Sequence, residues 1–315
     1  MKKIPLGKTG MFIGPLAFGG NVFGWTIDQA ASFKVLDAFV AGGFNLIDTA
    51  DVYSRWAKGN QGGESETIIG NWLKQRGSRD SVIIATKVGK EMAPENKGLS
   101  AKYIRAAVEQ SLKRLQTDYI DLYQSHDDDI NTAMEETLGT FTDLIKEGKV
   151  RAIGASNFSA GRLKQALDVS QAHGYARYQT LQPLYNLCER DAYEKDLEPL
   201  CIEQEIGVIN YYALASGFLT GKYRSEGDLS KSPRGQGVKK YLNAKGMAIL
   251  KALDQTASRY HSSPAAVSIA WLLARPSVTA PIASATTVQQ VEELLAATSL
   301  NLDRTAIDLL NAASQ

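Results

Sequence analysis

Short apolar runs alternate with amphipathic stretches along most of the chain. Runs such as VIIATKV at 82–88 are rich in β-branched residues and do not alternate polar with apolar positions, which is typical of parallel strands covered on both faces. Between the runs, apolar residues recur at the spacing of one helix face. The pattern predicts eight strands, at 15–20, 45–50, 82–88, 119–125, 151–156, 180–184, 207–212 and 278–284.

The stretches between these strands also carry signals for helix ends. Ser100 is a suitable N-cap for a helix over 100–116, because its side chain can accept a hydrogen bond from a free backbone N–H. Pro264 follows a serine and predicts the first position of a helix over 264–275, where proline is well tolerated. A third helix is predicted over 131–149.

Eight strands that alternate with helices predict an α/β fold, a (β/α)8 TIM barrel. An open doubly wound sheet is the alternative, but FGGNVFG at 18–24 does not match the G-x-G-x-x-G motif usual after its first strand. Two segments fall outside the repeating unit: 2–13 predicts an N-terminal β-hairpin, and 221–243 predicts a long polar loop after the seventh strand. No linker divides the sequence, so we expect a single domain over 1–315.

Composition and charge narrow the functional classes. The chain has 35 Lys and Arg against 34 Asp and Glu, without the basic excess that nucleic-acid or membrane-surface binding usually requires. Two cysteines, Cys188 and Cys201, and three histidines argue against a disulfide framework and against a metal site. Neither a membrane-spanning run nor a signal-peptide core is evident in the sequence. We expect a cytoplasmic protein with a small-molecule substrate and leave its oligomeric state open.

Polar residues follow three neighbouring predicted strands, at the end of the barrel where active sites of this fold lie. They are Asp48 and Tyr53, then Lys87, then His126. A phenol has a pKa of about 10, which a nearby ammonium lowers, and a buried ammonium in turn needs a carboxylate. A neutral imidazole can hydrogen-bond the reacting oxygen. Singly, each residue also has a structural interpretation, but together they predict a proton donor for carbonyl reduction.

The sequence resembles the aldo-keto reductase family, in particular bacterial members similar to potassium-channel β subunits. The order DTADVY, ATK and DLYQ-x-H is the most specific part of the resemblance. The matching stretches run through most of the chain and are LGKTG at 6–10, NLIDTADVYS at 45–54, GGESETIIGNWL at 62–73, VIIATKVG at 82–89, YIDLYQSH at 119–126, EGKVRAIGASNF at 147–158, LQPLYNL at 181–187 and ASGFLTGKY at 215–223.

The resemblance implies a (β/α)8 barrel that binds NADP(H) without a Rossmann domain and reduces an aldehyde or ketone to the alcohol by hydride transfer (EC 1.1.1.-). It makes Tyr53 the general acid, with its pKa lowered by Lys87. Asp48 would hold Lys87, and His126 would orient the substrate carbonyl. The implied cofactor contacts are Gly20, Asn21, Asp48, Ser156, Asn157, Gln182, Tyr211, Leu214, Ala215, Gly217, Lys222, Arg224, Ser284, Thr286, Gln290 and Glu293.

The match to the family pattern is weakest near the adenine end of the cofactor. Gln290 and Glu293 fit, but Thr286 stands where the family often has a cation for the 2′-phosphate of NADP, so NAD(H) stays open as a cofactor. We hypothesise that cations of 221–243 bind the cofactor phosphates instead, the alternative being a solvated loop. The candidate cations are Lys222, Arg224, Lys231, Arg234, Lys239 and Lys240.

Trp25 and Trp56 lie in loops after the first two predicted strands. They are candidate walls of an apolar substrate pocket beside Tyr53 and His126, although simple loop packing is the alternative. The acidic run 127–129 is interpreted as the cap and acidic first turn of the helix over 131–149, not as a metal site. Two other functions stay open: an NADP(H)-binding regulatory or channel-β-like protein with little turnover, and an unrelated barrel enzyme such as a metal-dependent isomerase.

Overall fold

The N-terminal hairpin covers one end of the sheet. The computed structural model describes residues 3–315; residues 1 and 2, where the predicted domain and hairpin begin, lie outside them. β1 (Ile4–Pro5) pairs antiparallel with β2 (Phe12–Ile13), which confirms the hairpin. A Cβ on Gly7 would lie 2.3 Å from the Gln179 carbonyl oxygen, so only glycine lets the turn approach so closely.

Eight parallel strands follow in one curled sheet, in the order β10-β3-β4-β5-β6-β7-β8-β9. Beyond β9, Ile282 N donates to Asn210 O at 2.9 Å, so backbone bonds also link the last strand to the chain that follows β9. The arrangement is consistent with a TIM barrel. The strands are β3 (Ala17–Gly19), β4 (Leu46–Asp48), β5 (Ile83–Val88), β6 (Ile120–Ser125), β7 (Val150–Ser156), β8 (Thr180–Gln182), β9 (Gly207–Val208) and β10 (Ile282–Ala283).

Helices pack against the outer face of this sheet. Side-chain caps begin several of them: Ser100 accepts from Tyr103 N and Ser263 accepts from Ala266 N, as the sequence predicts. The helices are α1 (Gln29–Ala41), α2 (Glu64–Arg76), α3 (Ala101–Leu115), α4 (Met134–Lys146), α5 (Ala160–His173), α6 (Asp191–Glu194), α7 (Leu197–Glu203), α8 (Ala244–Arg259), α9 (Pro264–Leu273), α10 (Val288–Ala297) and α11 (Arg304–Ala313).

The acidic run 127–129 does not cap α4, contrary to the prediction. α4 begins after Ala133, which has no side-chain cap. The three carboxylates instead bind other groups: Asp127 pairs with Lys90, Asp128 pairs with Arg162, and Asp129 accepts from Leu99 N. Within residues 3–315, no group of three or more potential metal-ligating side chains is found.

The side chains buried inside the barrel change from apolar to polar along the strands. Near the hairpin it is apolar, with Leu46, Ile83 and Leu122 packed against the hairpin's Ile13. At the carboxyl ends of the strands it becomes polar and charged, although the side chains stay buried. Burying polar groups is costly unless they are hydrogen-bonded, so this end of the barrel is where a functional role is to be sought.

The segment 221–243 is more ordered than the predicted polar loop. It contains short 3₁₀ helices at Glu226–Lys231 and Gly235–Tyr241, so a long loop without internal structure is not confirmed. Leu229 and Val238 are buried in the main core, which fixes the segment against the barrel. None of the helices among the described residues combines the length and apolarity needed to cross a membrane.

Candidate active site

A buried lysine organises the carboxyl end of the barrel. Lys87 Nζ donates to Asp48 Oδ2 at 2.6 Å, to Thr49 O at 2.7 Å and to the Tyr53 hydroxyl at 3.2 Å. An ammonium has three protons, and each of these has one acceptor. Because Lys87 donates to the Tyr53 oxygen, the phenol's own proton is left for an acceptor elsewhere.

Two amide side chains complete the coordination of Asp48. Gln182 Nε2 donates to Asp48 Oδ1 at 2.8 Å, and Gln124 Nε2 donates to the same oxygen at 3.3 Å. Gln182 is a residue that the sequence predicts for the site, whereas Gln124 is not. The signal for Gln124 is its place in YIDLYQSH, at an inward-facing strand position that an apolar residue would normally fill.

Burial and neighbouring charges set the protonation of these groups. Burial raises the pKa of Tyr53 and outweighs the lowering effect of Lys87, so the expected net lowering is wrong for the protein without ligand. Burial lowers the pKa of Lys87, but Asp48 and Tyr53 outweigh it, and the net shift is upward. Burial, helped by Lys87 and Lys90, holds the pKa of His126 well below its ordinary value.

These directions describe a phenol, an ammonium and a neutral imidazole side by side at neutral pH. A lowered pKa of Tyr53 was expected because the sequence predicts the Lys87 ammonium beside the phenol. The sequence does not show how deeply the phenol is buried. A phenol with a raised pKa keeps its proton, and burial raises the pKa of Tyr53 by more than the neighbouring Lys87 ammonium lowers it. The arrangement can therefore donate a proton from Tyr53 without first having to acquire one.

A large cleft opens above Tyr53 and His126, with a volume of about 1280 Å³. Of the predicted site residues, Gly20, Lys87, Ala215 and Arg224 lie outside its lining. The predicted residues that do line it are Asn21, Trp25, Asp48, Tyr53, Trp56, His126, Ser156, Asn157, Gln182, Tyr211, Leu214, Gly217, Lys222, Ser284, Thr286, Gln290 and Glu293. Ser216 and Thr220, within the stretch 214–222 that the resemblance places along the pyrophosphate, also line the cleft, and Lys90 and Tyr212 are lining residues that the sequence did not predict.

Aromatic rings surround the Tyr53 phenol. Its ring centroid lies 5.8 Å from that of His126 and 5.5 Å from that of Trp56, both near edge-on. Trp56 in turn meets Trp25 at 5.7 Å. Aromatic pairs favour this edge-to-face geometry, so both tryptophans pack on each other and also present apolar surface to the cleft.

Asn157 is held by its own neighbours. Its Nδ2 donates to His126 O at 3.0 Å and to Asp127 Oδ1 at 2.8 Å, and its Oδ1 accepts from the Tyr211 hydroxyl at 2.8 Å. Both amide protons are therefore used within the protein. Asn157 fixes the His126 backbone and the Tyr211 ring, and only its carbonyl oxygen has capacity left for another donor.

The cations of 221–243 fall into two groups. Arg224 pairs with Asp254, Lys231 with Asp228, Lys239 with Glu226 and Lys240 with Glu189, at distances from 2.7 to 3.2 Å. Lys222 and Arg234 line the cleft, and neither has a carboxylate within 4.0 Å in the part of the chain that the structure describes.

Arg234 contacts residues of two other segments at the cleft. Its guanidinium lies 5.2 Å from the Trp25 ring centroid, and its Nη2 donates weakly to Asn21 Oδ1 at 3.4 Å. Asn21 Oδ1 also accepts from Ser284 Oγ at 2.7 Å. These contacts hold an arginine beside the cleft without neutralising it.

The backbone at 215–217, next to Lys222, has an unusual conformation. Ala215, Ser216 and Gly217 have φ values of 47°, 58° and 96°, three successive residues in the left-handed region that non-glycine residues rarely adopt. A Cβ on Gly217 would lie 3.3 Å from Lys222 Cε. Strained backbone of this kind is often found at ligand sites, and here it brings the chain close to Lys222, a cation that pairs with no carboxylate among the described residues.

Comparison with known proteins identifies the family of this chain. A family model described as "Aldo/keto reductase family" matches residues 15–315. The uncharacterized oxidoreductase YrpG of Bacillus subtilis (strain 168) is 34% identical over 97% of this chain and 94% of its own length. The aldo-keto reductase YhdN of the same organism is 36% identical over 92% of this chain and 85% of its own length.

A fungal relative also covers most of the chain. The norsolorinic acid reductase of Aspergillus flavus is 30% identical over 95% of this chain and 77% of its own length. A family match over nearly the whole sequence, together with relatives aligned over 77% to 94% of their own length, identifies both the family and the general reaction class. This chain belongs to the aldo/keto reductase family and is an oxidoreductase.

Proposed function

We propose that this protein is an NADP(H)-dependent reductase that converts an aldehyde or ketone to the alcohol, with Tyr53 as the general acid. The observation that carries the proposal is the bond from Lys87 Nζ to the Tyr53 oxygen, at 3.2 Å in a buried site. It leaves the phenol proton free for a substrate oxygen in the cleft. We further propose that the chain acts as a single domain on a small-molecule substrate.

The residues around the cleft fit a nicotinamide dinucleotide. Gln182 Oε1 makes no hydrogen bond among the described residues and suits the amide protons of a carboxamide, and Tyr211 provides an aromatic face beside it. Lys222 and Arg234 suit phosphates, because both line the cleft and neither has a carboxylate within 4.0 Å among the described residues. The volume of about 1280 Å³ exceeds that of most small-molecule pockets. When bound, the nicotinamide supplies the hydride.

The protein's own groups manage the proton. Tyr53 donates its proton to the carbonyl oxygen as negative charge develops there, and neutral His126 hydrogen-bonds the same oxygen. As the phenol becomes a phenolate, the charge of Lys87 stabilises it at short range. Asp48 keeps Lys87 charged and oriented through its 2.6 Å bond. A raised resting pKa of Tyr53 suits this direction, since the acid is protonated before each turnover.

Arg234 and Lys222 bear on the choice of cofactor. Thr286, where a cation is expected for a 2′-phosphate, instead donates from N and Oγ1 to Gln290 Oε1. We assign the phosphate contacts of NADP(H) to Lys222 and Arg234. Arg224, a predicted cofactor contact, is not included because its guanidinium already binds both oxygens of Asp254. NAD(H) stays an alternative cofactor.

Replacing Tyr53 by phenylalanine tests the proposal. General acid catalysis contributes about 10²- to 10⁴-fold, so we expect Tyr53→Phe to lower kcat for 4-nitrobenzaldehyde by about that factor. The NADPH dissociation constant, read from the cofactor's fluorescence, should stay unchanged. A variant that turns over at close to the parental rate would overturn the role of Tyr53. NADPH binding by the wild type without turnover of any carbonyl in a broad panel would favour a regulatory function instead.

A further inference from the structure

Gln124 occupies an unusual position inside the barrel. In the register of the sheet it lies between Lys87 on β5 and Gly154 on β7, and it is completely buried. Barrel interiors are usually filled by apolar side chains, and a buried amide is unfavourable unless its hydrogen bonds are made. The presence of a glutamine at this point therefore needs a specific reason.

Gln124 is one corner of a closed hydrogen-bonded triangle. Its Nε2 donates to Asp48 Oδ1 at 3.3 Å, and its Oε1 accepts from Gln182 Nε2 at 3.3 Å. Gln182 Nε2 also donates to Asp48 Oδ1, at 2.8 Å. Both amide protons of Gln182 are used in this way, so its carbonyl oxygen faces away from the triangle, and Gln182 lines the cleft.

The neighbouring strand leaves room for this side chain. A Cβ on Gly154 would lie 3.2 Å from Gln124 Cγ and 2.1 Å from Thr180 Oγ1. Glycine within a strand weakens it and often marks a place where another group approaches closely. Here a side chain at 154 would collide with Thr180 Oγ1 and also crowd Gln124 Cγ, so the glycine leaves space for both side chains.

We propose that Gln124 is a positioning residue that couples the Asp48–Lys87 pair to the cofactor side of the cleft. One end of its amide orients Asp48 so that Oδ2 meets Lys87. The other end fixes the Gln182 amide so that its oxygen, and not its NH₂ group, faces the cofactor. The Gln124 side chain thus positions both the Asp48–Lys87 pair beside the proton donor Tyr53 and the Gln182 oxygen that accepts from the carboxamide. The inference rests on the proposed function of this site.

Gln124→Met tests the coupling, since methionine has a similar length but neither donates nor accepts here. Losing a hydrogen bond to a charged group corresponds to about 10- to 100-fold. We expect kcat to fall by about that factor and the NADPH dissociation constant, read by fluorescence without substrate, to rise several-fold. The matched control is Thr180→Val in the same layer, because Thr180 Oγ1 has no partner in the described chain; its kcat and NADPH affinity should stay parental.

Gln124→Glu separates positioning from simple packing through the pH profile. A protonated glutamic acid can replace both bonds of the amide, whereas an ionised one faces the Asp48 carboxylate, with Lys87 as the nearby cation. We expect this variant to approach the parental kcat at low pH and to lose activity as pH rises, over a range where the wild type is constant. A purely structural role would reduce kcat by the same factor at every pH.

Two outcomes would overturn the inference. One is a Gln124→Met variant with parental kcat and NADPH affinity; the other is a Gln124→Glu profile that superimposes on that of the wild type after scaling. If Gln124→Met does not fold, the pH profile of Gln124→Glu decides alone. An active wild type with unaffected variants contradicts only the role of Gln124, whereas a wild type that neither binds NADPH nor reduces carbonyls contradicts the proposed function as well.

Discussion

Two aspartates in the same motif, Asp48 and Asp51, have the same exposure and opposite surroundings. Each side chain belongs to a residue that is 2% exposed. Asp48 accepts from Lys87, Gln124 and Gln182, whereas neither oxygen of Asp51 has a hydrogen-bond partner among the described residues. Burial alone therefore does not decide what a carboxyl group does here; its partners do.

The difference shows in the protonation of Asp51. Burial raises the pKa of Asp51 to about 8, and the charge of Glu66 adds to the effect. The nearby Val52 backbone N–H, and then the cations Arg114 on α3 and Lys87 on β5, lower the pKa of Asp51 but only partly offset this rise. Arg114 is already bound to Glu66 at 2.7 Å. Two aspartates three residues apart thus differ in state: Asp48 forms an ion pair with Lys87, whereas the raised pKa of Asp51 favours a neutral acid at neutral pH.

The largest effect is expected from breaking the ion pair between Asp48 and Lys87. Lys87→Met leaves Asp48 buried without its cation, which should destabilise the fold by about 3–5 kcal/mol and abolish most turnover. The double variant Lys87→Met/Asp48→Asn removes the unpaired charge, so it should regain most of the stability and none of the activity. Urea denaturation and NADPH oxidation measure the two effects. Equal stabilities for the single and double variants would contradict the pairing argument.

Asp51→Asn tests the protonation of Asp51 through the pH dependence of the free energy of unfolding. The folded state holds the Asp51 proton up to about pH 8, whereas the unfolded chain releases it near pH 4. Unfolding therefore releases a proton between these values, and the wild type loses stability as pH rises through this range, by at most about 1.4 kcal/mol per pH unit. Below pH 4 and above pH 8 this contribution no longer changes.

The asparagine variant cannot ionise, so its advantage over the wild type should grow from pH 5 to pH 8 and then level off. Urea denaturation at pH 5, 6, 7, 8 and 9 gives the difference directly. Thr256→Val, a buried hydroxyl in α8 that bonds only within its helix at 2.9 Å, is a control whose difference should not depend on pH. A constant difference for Asp51→Asn would mean that Asp51 is ionised throughout.

The aspartates also show how far the sequence reaches. The group of Asp48, Tyr53, Lys87 and His126 could be predicted, together with the strands around it, because an ordered motif and the rule that barrel active sites lie at the carboxyl ends of the strands place these residues at one edge. The longer strand predicted at 207–212 was wrong in extent, since β9 ends at Val208 and the backbone turns left-handed at Tyr212. The raised pKa of Tyr53 could not be read, because burial depends on the whole fold.

The sequence also could not show which cations of 221–243 pair with carboxylates. Arg224 and Lys240 look like Arg234 in a list of charges, but their carboxylates, Asp254 and Glu189, are 30 and 51 residues away along the chain. Only the folded chain separates the cations that carboxylates neutralise from those, such as Arg234, that have no carboxylate within 4.0 Å among the described residues. The same rule that distinguishes Asp48 from Asp51 therefore distinguishes Arg224 from Arg234.

Arg234→Met and Lys222→Met extend the comparison to these cations, with a smaller expected effect. Each variant should raise the NADPH dissociation constant by about 10-fold, the lower end for a hydrogen bond to a charged group, and affect NADH less if the cation meets the 2′-phosphate. Arg224→Met and Lys239→Met are matched controls, because those cations are paired at 2.7 and 3.2 Å. They should leave both affinities unchanged.

Fluorescence titration of both cofactors with all four variants reads these effects, and salt adds a second measure. A cation that binds a phosphate loses part of its contribution at high ionic strength, so the gap between Arg234→Met and the wild type should narrow as salt rises. Equal losses for NADPH and NADH would assign the cation to the pyrophosphate that the two share. Equal losses of cofactor affinity in Arg224→Met and Lys239→Met would show that pairing with a carboxylate does not predict which cations bind the cofactor. The distinction between Arg224 and Arg234 would then be wrong.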